Sequence, residues 1–308
     1  MSINKTDVEY FVKEYISIEG EKFQITKSDW KERKESKALI SHIRYIEQKY
    51  DLMISNYYDF EKELLDQSLD SSLRNVDRDW IDFKYLELTR KIINLVTSIA
   101  LYINHLETRH LVKLSFSDTK KKEFLSELKL LKKDNLDIRF IINLRNYIIH
   151  RDLPLDTYSM GGSWEKIGKD DIEKLGHVII PFVEKENLIK DSKFSSTVAK
   201  NYPDNKGKID LRLPIRKSIK VLSDLNKSFR DLISTDYEYA KDNVLKAIEE
   251  FNSLSGKKSN YCDIIEVIDY QINDRIHLAK RHINQIELFY KRNRAQGILE
   301  RRYVHNRI

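Results

Sequence analysis

The residues that interrupt helices are concentrated in one stretch of this chain. All four prolines and five of the eight glycines lie between residues 154 and 214. Proline lacks a backbone N–H donor and glycine favours turns, so both are disfavoured inside long helices. This distribution predicts three consecutive segments, with helices in residues 1–155 and 214–308 and an irregular segment at 156–213.

Composition favours a mostly α-helical, globular, cytoplasmic protein. The 308 residues are 41% apolar, which is enough for a hydrophobic core, and 34% charged. A single cysteine, Cys262, excludes an internal disulfide and a zinc site with several cysteines. The first residues carry no apolar targeting segment, and no stretch approaches the roughly 18 uncharged apolar residues of a membrane helix. We therefore expect no membrane association.

The net charge of +6 favours polyanionic partners such as RNA, because Lys and Arg displace counterions from phosphates. The 55 basic residues are nearly matched by 49 acidic ones, so a mixed surface charge explains the composition equally well. Charge alone does not decide between the two.

Apolar periodicity marks three helices before Pro154. In the first helix the apolar residues recur at steps of three and four: Leu88, Ile92, Leu95, Val96, Ile99, Ile103 and Leu106. A second helix starts near Ser117 or Asp118, either of which suits an N-cap. The third helix runs from about Leu136, and Pro154 ends it.

The middle segment contains two strand patterns. β-Branched and aromatic residues cluster at 178–183, and apolar residues alternate with polar ones at 209–213. After Pro214, amphipathic patterns predict helices at about 215–254 and 260–300 that pack on the N-terminal helices. The predicted fold is mostly α: a helical bundle with long amphipathic helices and a small antiparallel β insertion.

Three polar side chains interrupt the apolar sequence FIINLRNYIIHRDLP at the end of the third helix. They are Arg145, Asn146 and His150. At about 100° per residue, Asn146 and His150 share one side of the helix, whereas Arg145 and His150 diverge by about 140°. Arg145 must therefore reach around the helix or serve a site shared with a second copy of the chain.

These residue types suit the cleavage of RNA. A histidine can take a proton from a ribose 2′-hydroxyl or protonate the departing 5′-oxygen at neutral pH. An arginine presents a planar set of donors to the charge that develops on the phosphate in the transition state. The 2′-hydroxyl is an internal nucleophile, so this chemistry needs no metal and no cofactor.

The sequence RNYIIH at residues 145–150 resembles the motif of the HEPN superfamily, in which an arginine and a polar residue precede a histidine. The resemblance covers about residues 80–155. It implies a helical domain that dimerises at the motif, and a metal-independent endoribonuclease of a toxin–antitoxin or antiphage system. An antitoxin or another operon product is then a further partner. By this resemblance Arg145 stabilises the phosphate, Asn146 supports the site and His150 acts as acid or base.

Two other interpretations are open from the sequence. In one, the domain is HEPN-like but non-catalytic, and it binds a ligand or serves as a scaffold. In the other, the residues are structural: Arg145 forms an ion pair, and His150 is buried in the core of a monomer or favoured by the helix C-terminus.

The C-terminal segment is a second candidate for RNA contact. Its cationic residues are Lys291, Arg292, Arg294, Arg301 and Arg302. Such a run can follow a phosphate backbone, although a solvated helix end is the common alternative.

A metal site is not expected. His105 and His110 are five residues apart, as are His277 and His282. This spacing does not place two rings on one face of a helix, as a pair of zinc ligands requires.

Overall fold

The structure is a computed structural model, and it describes residues 8–15, 20–74, 77–107, 118–166 and 173–293. The helices are α1 (Lys27–Leu73), α2 (Arg78–His105), α3 (Asp118–Asp134), α4 (Leu136–His150), α5 (Lys185–Lys190), α6 (Ser196–Asn201), α7 (Arg212–Ser255) and α8 (Lys280–Arg292). The strands are β1 (Val8–Lys13), β2 (Lys22–Gln24), β3 (Thr157–Lys166), β4 (Glu173–Glu184), β5 (Lys208–Asp210), β6 (Tyr261–Ile268) and β7 (Gln271–Ala279). The predicted mostly α fold with a small antiparallel β part is confirmed.

The chain divides into two compact units, each built from separate segments. The described residues of unit 1 are 8–15, 20–48, 106–107, 118–122 and 228–293. Those of unit 2 are 49–74, 77–105, 123–166 and 173–227. The unit boundaries at residues 48 and 228 fall inside α1 and α7.

Unit 1 contains a four-stranded antiparallel sheet in the order β2-β1-β6-β7. One face of this sheet packs on helices, since Tyr10 of β1 contacts Trp30 of α1 with ring centroids 5.2 Å apart. Within this unit α1 runs antiparallel to α7, because Arg33 pairs with Glu250 and Glu47 pairs with Arg230. The Glu47 side chain is fully buried, and Arg230 donates two hydrogen bonds to it.

Unit 2 contains a three-stranded antiparallel sheet in the order β3-β4-β5, together with the packed helices α2 and α4. The apolar stripe of α2 that the sequence predicts is buried throughout the described helix. Helices α3 and α4 lie where the sequence places them, and strand β4 contains the predicted strand pattern at 178–183. The pattern at 209–213 is only partly strand, because β5 ends at Asp210 and α7 begins at Arg212. None of the described helices combines the length and the apolar content needed to cross a membrane.

The predicted helix at about 260–300 is wrong over residues 261–279. These residues form the hairpin of β6 and β7, and only Lys280–Arg292 is helical in the described part of this segment. Strands β1 and β2 likewise lie in the N-terminal segment, for which only helices are predicted. The hairpin was missed because its two-residue turn, Asp269–Tyr270, contains no glycine, although both residues have positive φ (49° and 65°).

Replacing Tyr270 by glycine should stabilise the protein. The Tyr270 side chain is 94% exposed, so it contributes little packing, while its left-handed backbone conformation is unfavourable for any residue with a Cβ. We expect Tyr270→Gly to raise the free energy of unfolding by about 1 kcal/mol in denaturant titrations followed by circular dichroism. Tyr270→Ala, which keeps the Cβ, should give little gain; equal gains from both variants would contradict backbone strain as the cause.

Two carboxylates of α1 offer a matched test of buried and exposed ion pairs. Each accepts two hydrogen bonds from an arginine of α7, but Glu47 is fully buried whereas the Glu61–Arg216 pair is partly exposed. Glu47→Ala should lower the free energy of unfolding by about 3–5 kcal/mol, because Arg230 loses its buried counter-charge. Glu61→Ala should lower it by about 1 kcal/mol or less. Similar losses for both, measured by the same titration, would show that burial does not control the effect.

Candidate active site on helix α4

Helix α4 has a well-defined start and end. Its N-cap Asn135 accepts a hydrogen bond from the backbone N–H of Ile138 at 2.9 Å, and Asp137 in the first turn complements the helix dipole. The helix ends at His150, and the backbone N–H of Arg151 still donates to the Tyr147 carbonyl at 2.8 Å. Pro154 stands four residues beyond the end, as the sequence predicts.

One side of α4 is anchored in the core of unit 2. Its buried residues are Ile138, Phe140, Ile141, Leu144 and Tyr147. Phe140 packs against Phe194 and Tyr202, with ring centroids 5.3 Å and 4.5 Å apart. Burying a side chain of this size contributes about 1.5–3 kcal/mol, so this face fixes the rotation of the helix. The remaining face carries the three candidate residues.

Arg145 and Asn146 are in contact, whereas His150 contacts neither of them through a hydrogen bond. Both residues of the contact are half-buried, and Arg145 Nη1 donates to Asn146 Oδ1 at 3.2 Å. Arg145 Nε is buried, and it has no hydrogen-bond partner among the described residues. His150 is exposed at the end of the helix and makes no hydrogen bond or ion pair within the described part of the chain.

These positions contradict the interpretation of the motif as a set of core residues. One form of that interpretation places His150 in the core of a monomer, but His150 is exposed. It also requires an ion pair of Arg145, and no carboxylate among the described residues pairs with it. The polar motif therefore needs another explanation, although a C-terminal histidine favoured by the helix dipole remains compatible with the geometry.

The charges next to the motif are largely engaged with one another. Arg151 contacts Asp191 at 3.3 Å and donates to Ser192 at 2.7 Å. Burial raises the pKa of the Tyr147 hydroxyl, and the carboxylates of Asp156, Asp152 and Asp191 raise it further. Since Arg151 is held by Asp191, Arg145 is the arginine of this turn whose guanidinium is free of a carboxylate among the described residues.

Exposed apolar side chains lie beside the motif. Ile149 is 49% exposed, and Leu153 is also exposed. The N-terminal part of α2 is close to this end of α4, because the Tyr85 hydroxyl donates to the Leu155 carbonyl. Phe83 and Leu86, on either side of Tyr85 in the sequence, are exposed as well.

These exposed apolar side chains are not among the features predicted from the sequence. A signal was present, because Ile142, Asn146 and Ile149 recur at steps of four and three and so share the side of α4 opposite its buried residues. The sequence does not indicate that Phe83 and Leu86 are exposed, because they are apolar and stand shortly before the buried apolar stripe of α2.

The described C-terminal basic residues and the α4 motif belong to different units of the chain. Lys291 and Arg292 are exposed at the end of α8, which belongs to unit 1, whereas the motif belongs to unit 2. Arg294, Arg301 and Arg302 lie outside the described residues. In the part of the chain that the structure describes, no group of three or more His, Cys, Asp or Glu side chains is placed to hold a metal ion.

Comparisons of the chain with models of known protein families, with curated proteins and with solved structures found no match. The resemblance to the HEPN superfamily therefore rests on the motif residues themselves.

Substitutions on the two sides of α4 should separate function from folding. His150→Ala removes an exposed side chain without described partners, so we expect the free energy of unfolding to change by less than about 0.5 kcal/mol. Leu144→Ala removes a fully buried side chain and should lower it by about 2–5 kcal/mol. Both are measured by denaturant titration; a loss of 2 kcal/mol or so in His150→Ala would instead indicate a structural role.

Proposed function

We propose that the protein is a HEPN-like, metal-independent endoribonuclease whose site contains Arg145, Asn146 and His150. The observation that carries this proposal is the buried, unpartnered Nε of Arg145 on the same helix as the solvent-accessible His150. The proposed setting is a toxin or antiphage effector of the cytoplasm, held in check by an operon-encoded partner.

Arg145 is suited to bind a phosphate. A buried donor without a partner destabilises a fold by about 1–3 kcal/mol, so its retention favours a ligand that accepts from it. Its Nη1 is oriented by Asn146, which limits the motion of the guanidinium. A phosphate oxygen would satisfy the remaining donors with charge-assisted hydrogen bonds.

His150 is suited to proton transfer. Its ring is exposed at the last position of α4, and no described residue occupies its nitrogens. In the proposed reaction the ribose 2′-oxygen attacks phosphorus and loses its proton, while the 5′-oxygen leaves and gains one. The products are a 2′,3′-cyclic phosphate and a 5′-hydroxyl, and His150 exchanges a proton with one of these two oxygens.

A second copy of the chain would complete the site. The 140° divergence of Arg145 and His150 within one helix makes it difficult for both to reach the same phosphate. The exposed apolar residues Ile149 and Leu153 lie next to the motif in the chain, and a two-fold dimer that buries them would bring two copies of the motif together. Each composite site would then use Arg145 of one copy and His150 of the other.

The first experiment is cleavage of single-stranded RNA in the presence of EDTA. Wild-type protein should cut, and Arg145→Ala and His150→Ala should each lower the rate by about 10²-fold or more. Arg151→Gln is the matched control, because this neighbouring arginine is already engaged by Asp191. Undiminished cleavage by both motif variants would show that the assigned site is wrong.

Mixing the two inactive variants tests the shared site. If Arg145 and His150 of different copies act together, an equal mixture of Arg145→Ala and His150→Ala contains mixed dimers with one intact composite site. Random exchange of subunits should then restore about a quarter of the wild-type rate. A mixture as inactive as its components, with exchange verified by differently tagged copies, would contradict sharing between copies.

The second candidate function is a HEPN-like module that binds RNA without cutting it. The observation in its favour is that no described residue orients the imidazole of His150, whereas an efficient general base is commonly held by a third group. In that case wild-type protein leaves RNA intact in the EDTA assay, and Arg145→Ala lowers RNA affinity in a filter-binding measurement.

A further inference from the structure

A cluster of cationic side chains lies in unit 1, independent of the α4 motif. It comprises Lys37 and Arg44 of α1 and Arg281 and His282 of α8. Lys37 and Arg44 are seven residues apart and therefore project from the same side of α1. Arg281 and His282 occupy the first turn of α8, whose N-cap residue, Ala279, provides no side-chain cap.

Lys37 and His282 are in direct contact. Lys37 Nζ lies 3.0 Å from His282 Nδ1 and donates to Ser41 Oγ at 3.1 Å. Burial and the charges of Lys37, Arg44 and Arg281 lower the pKa of His282 to about 4, so its ring is neutral at pH 7 and can accept from Lys37. Burial, with Arg44 and Arg281, lowers the pKa of Lys37 to about 8.

No described carboxylate neutralises this cluster. Lys37, Arg44 and Arg281 make no ion pair with an acidic residue in the described ranges. Arg44 donates from Nη1 to the Gln285 side chain at 3.4 Å, but its Nε is buried and lacks a hydrogen-bond partner there. Like charges held together without a counter-charge destabilise the fold, so this arrangement favours an external anion.

The neighbouring acidic residues are already occupied. Asp263 of β6 is fully buried between Arg275 and His277 of β7, with His277 Nδ1 3.0 Å from Asp263 Oδ1. Asp274 pairs with Lys34 at 2.7 Å. The His277 ring, whose centroid is 6.5 Å from that of His282, therefore lies at the edge of the cluster with Asp263 as its partner.

We propose that Lys37, Arg44, Arg281 and the N-terminus of α8 bind the terminal phosphate group of a small phosphate monoester. The two guanidinium groups supply planar donors that match phosphate oxygens, and Lys37 supplies a third charge. The first turn of α8 has no side-chain cap, and its N–H groups other than that of Lys280, which donates to the Asn260 carbonyl at 2.9 Å, add donors of the same kind. Three cations suit the double charge of a phosphate monoester better than the single charge of a carboxylate or of an RNA phosphodiester.

The depth of the cluster also favours a terminal phosphate. His282 is buried and Lys37 is half-buried, whereas an RNA backbone is usually followed along an open basic surface. Beside His277 lies Tyr15, whose ring centroid is 4.1 Å from that of the imidazole. This aromatic edge is available to the organic part of the ligand.

The test measures binding of inorganic phosphate and 5′-AMP to the full chain by isothermal titration calorimetry. Both should bind, adenosine should not, and Lys37→Met should weaken binding by about tenfold or more. Arg281→Gln should weaken it too, and because Arg281 is exposed this variant cannot fail through loss of the core. Lys34→Met is the matched control, since Lys34 lies on the same helix but is paired with Asp274.

Two results would overturn the proposal. One is phosphate binding that is absent, or equally strong in wild type, Lys37→Met and Arg281→Gln. The other is that a single-stranded RNA with a 5′-hydroxyl displaces phosphate from the wild-type protein but does not bind Lys37→Met. That result would assign the cluster to an RNA backbone. Neither result depends on Arg145 or His150, so the ribonuclease proposal stands or falls separately.

The pH dependence of sulfate binding gives an independent readout. Sulfate keeps its double charge between pH 7 and pH 9, and an anion favours protonated Lys37. The groups that face Lys37 are Arg44, Arg281 and His282, with His277 at the edge of the cluster. Above its pKa of about 8, Lys37 must take up a proton on binding, so affinity should fall by about tenfold from pH 7 to pH 9. Lys37→Met should abolish this fall; a fall of equal size in the variant would contradict the role of Lys37.

Discussion

The buried carboxylate of Glu47 is the strongest constraint on the long helices of unit 1. A charged group without solvent requires a partner, and Arg230 of α7 supplies two hydrogen bonds. The pair fixes both the register of α1 against α7 and the rotation of α1 about its axis. At about 100° per residue, Arg44 and Lys37 then lie about 60° and 80° around the helix from Glu47, on one side. The same pair thereby aligns two members of the cationic cluster.

The fold could be predicted where a single apolar face repeats over many turns. Helices α2 and α4 bury one side and expose the other, so apolar residues recur in their sequences with the helical period of 3.6 residues. Strand β6 is buried at Cys262, Asp263, Ile264 and Ile265 in succession, so it shows no alternation. Because the turn after it contains no glycine, the sequence of this strand resembles part of a helix. The β-propensity of its residues is too dependent on context to identify it as a strand.

The geometry of the candidate site on α4 could be predicted as far as the helix alone determines it. The spacing of Asn146 and His150 and the divergence of Arg145 depend only on the helix, and the helix was recognised. The buried Nε of Arg145 depends on tertiary packing and left no trace in the sequence. The cationic cluster also depends on tertiary packing and could not be predicted from the sequence, since Lys37 and His282 are 245 residues apart. Its His282 also follows a strand that was predicted as helix.

The two proposed sites share one physical signature, a guanidinium with a buried and unpaired Nε. Several other buried donors also lack described partners, but the Ser218 and Thr157 hydroxyls can rotate towards any nearby acceptor. The guanidinium of Arg33 is anchored through another nitrogen by Glu250. Arg145 and Arg44 differ from both, because their donors are fixed in a plane and their Nη1 atoms bond only the neutral amides of Asn146 and Gln285, with no described carboxylate paired to them. Since folding alone gains nothing from such donors, an anion from outside the chain is the simplest reason to keep them.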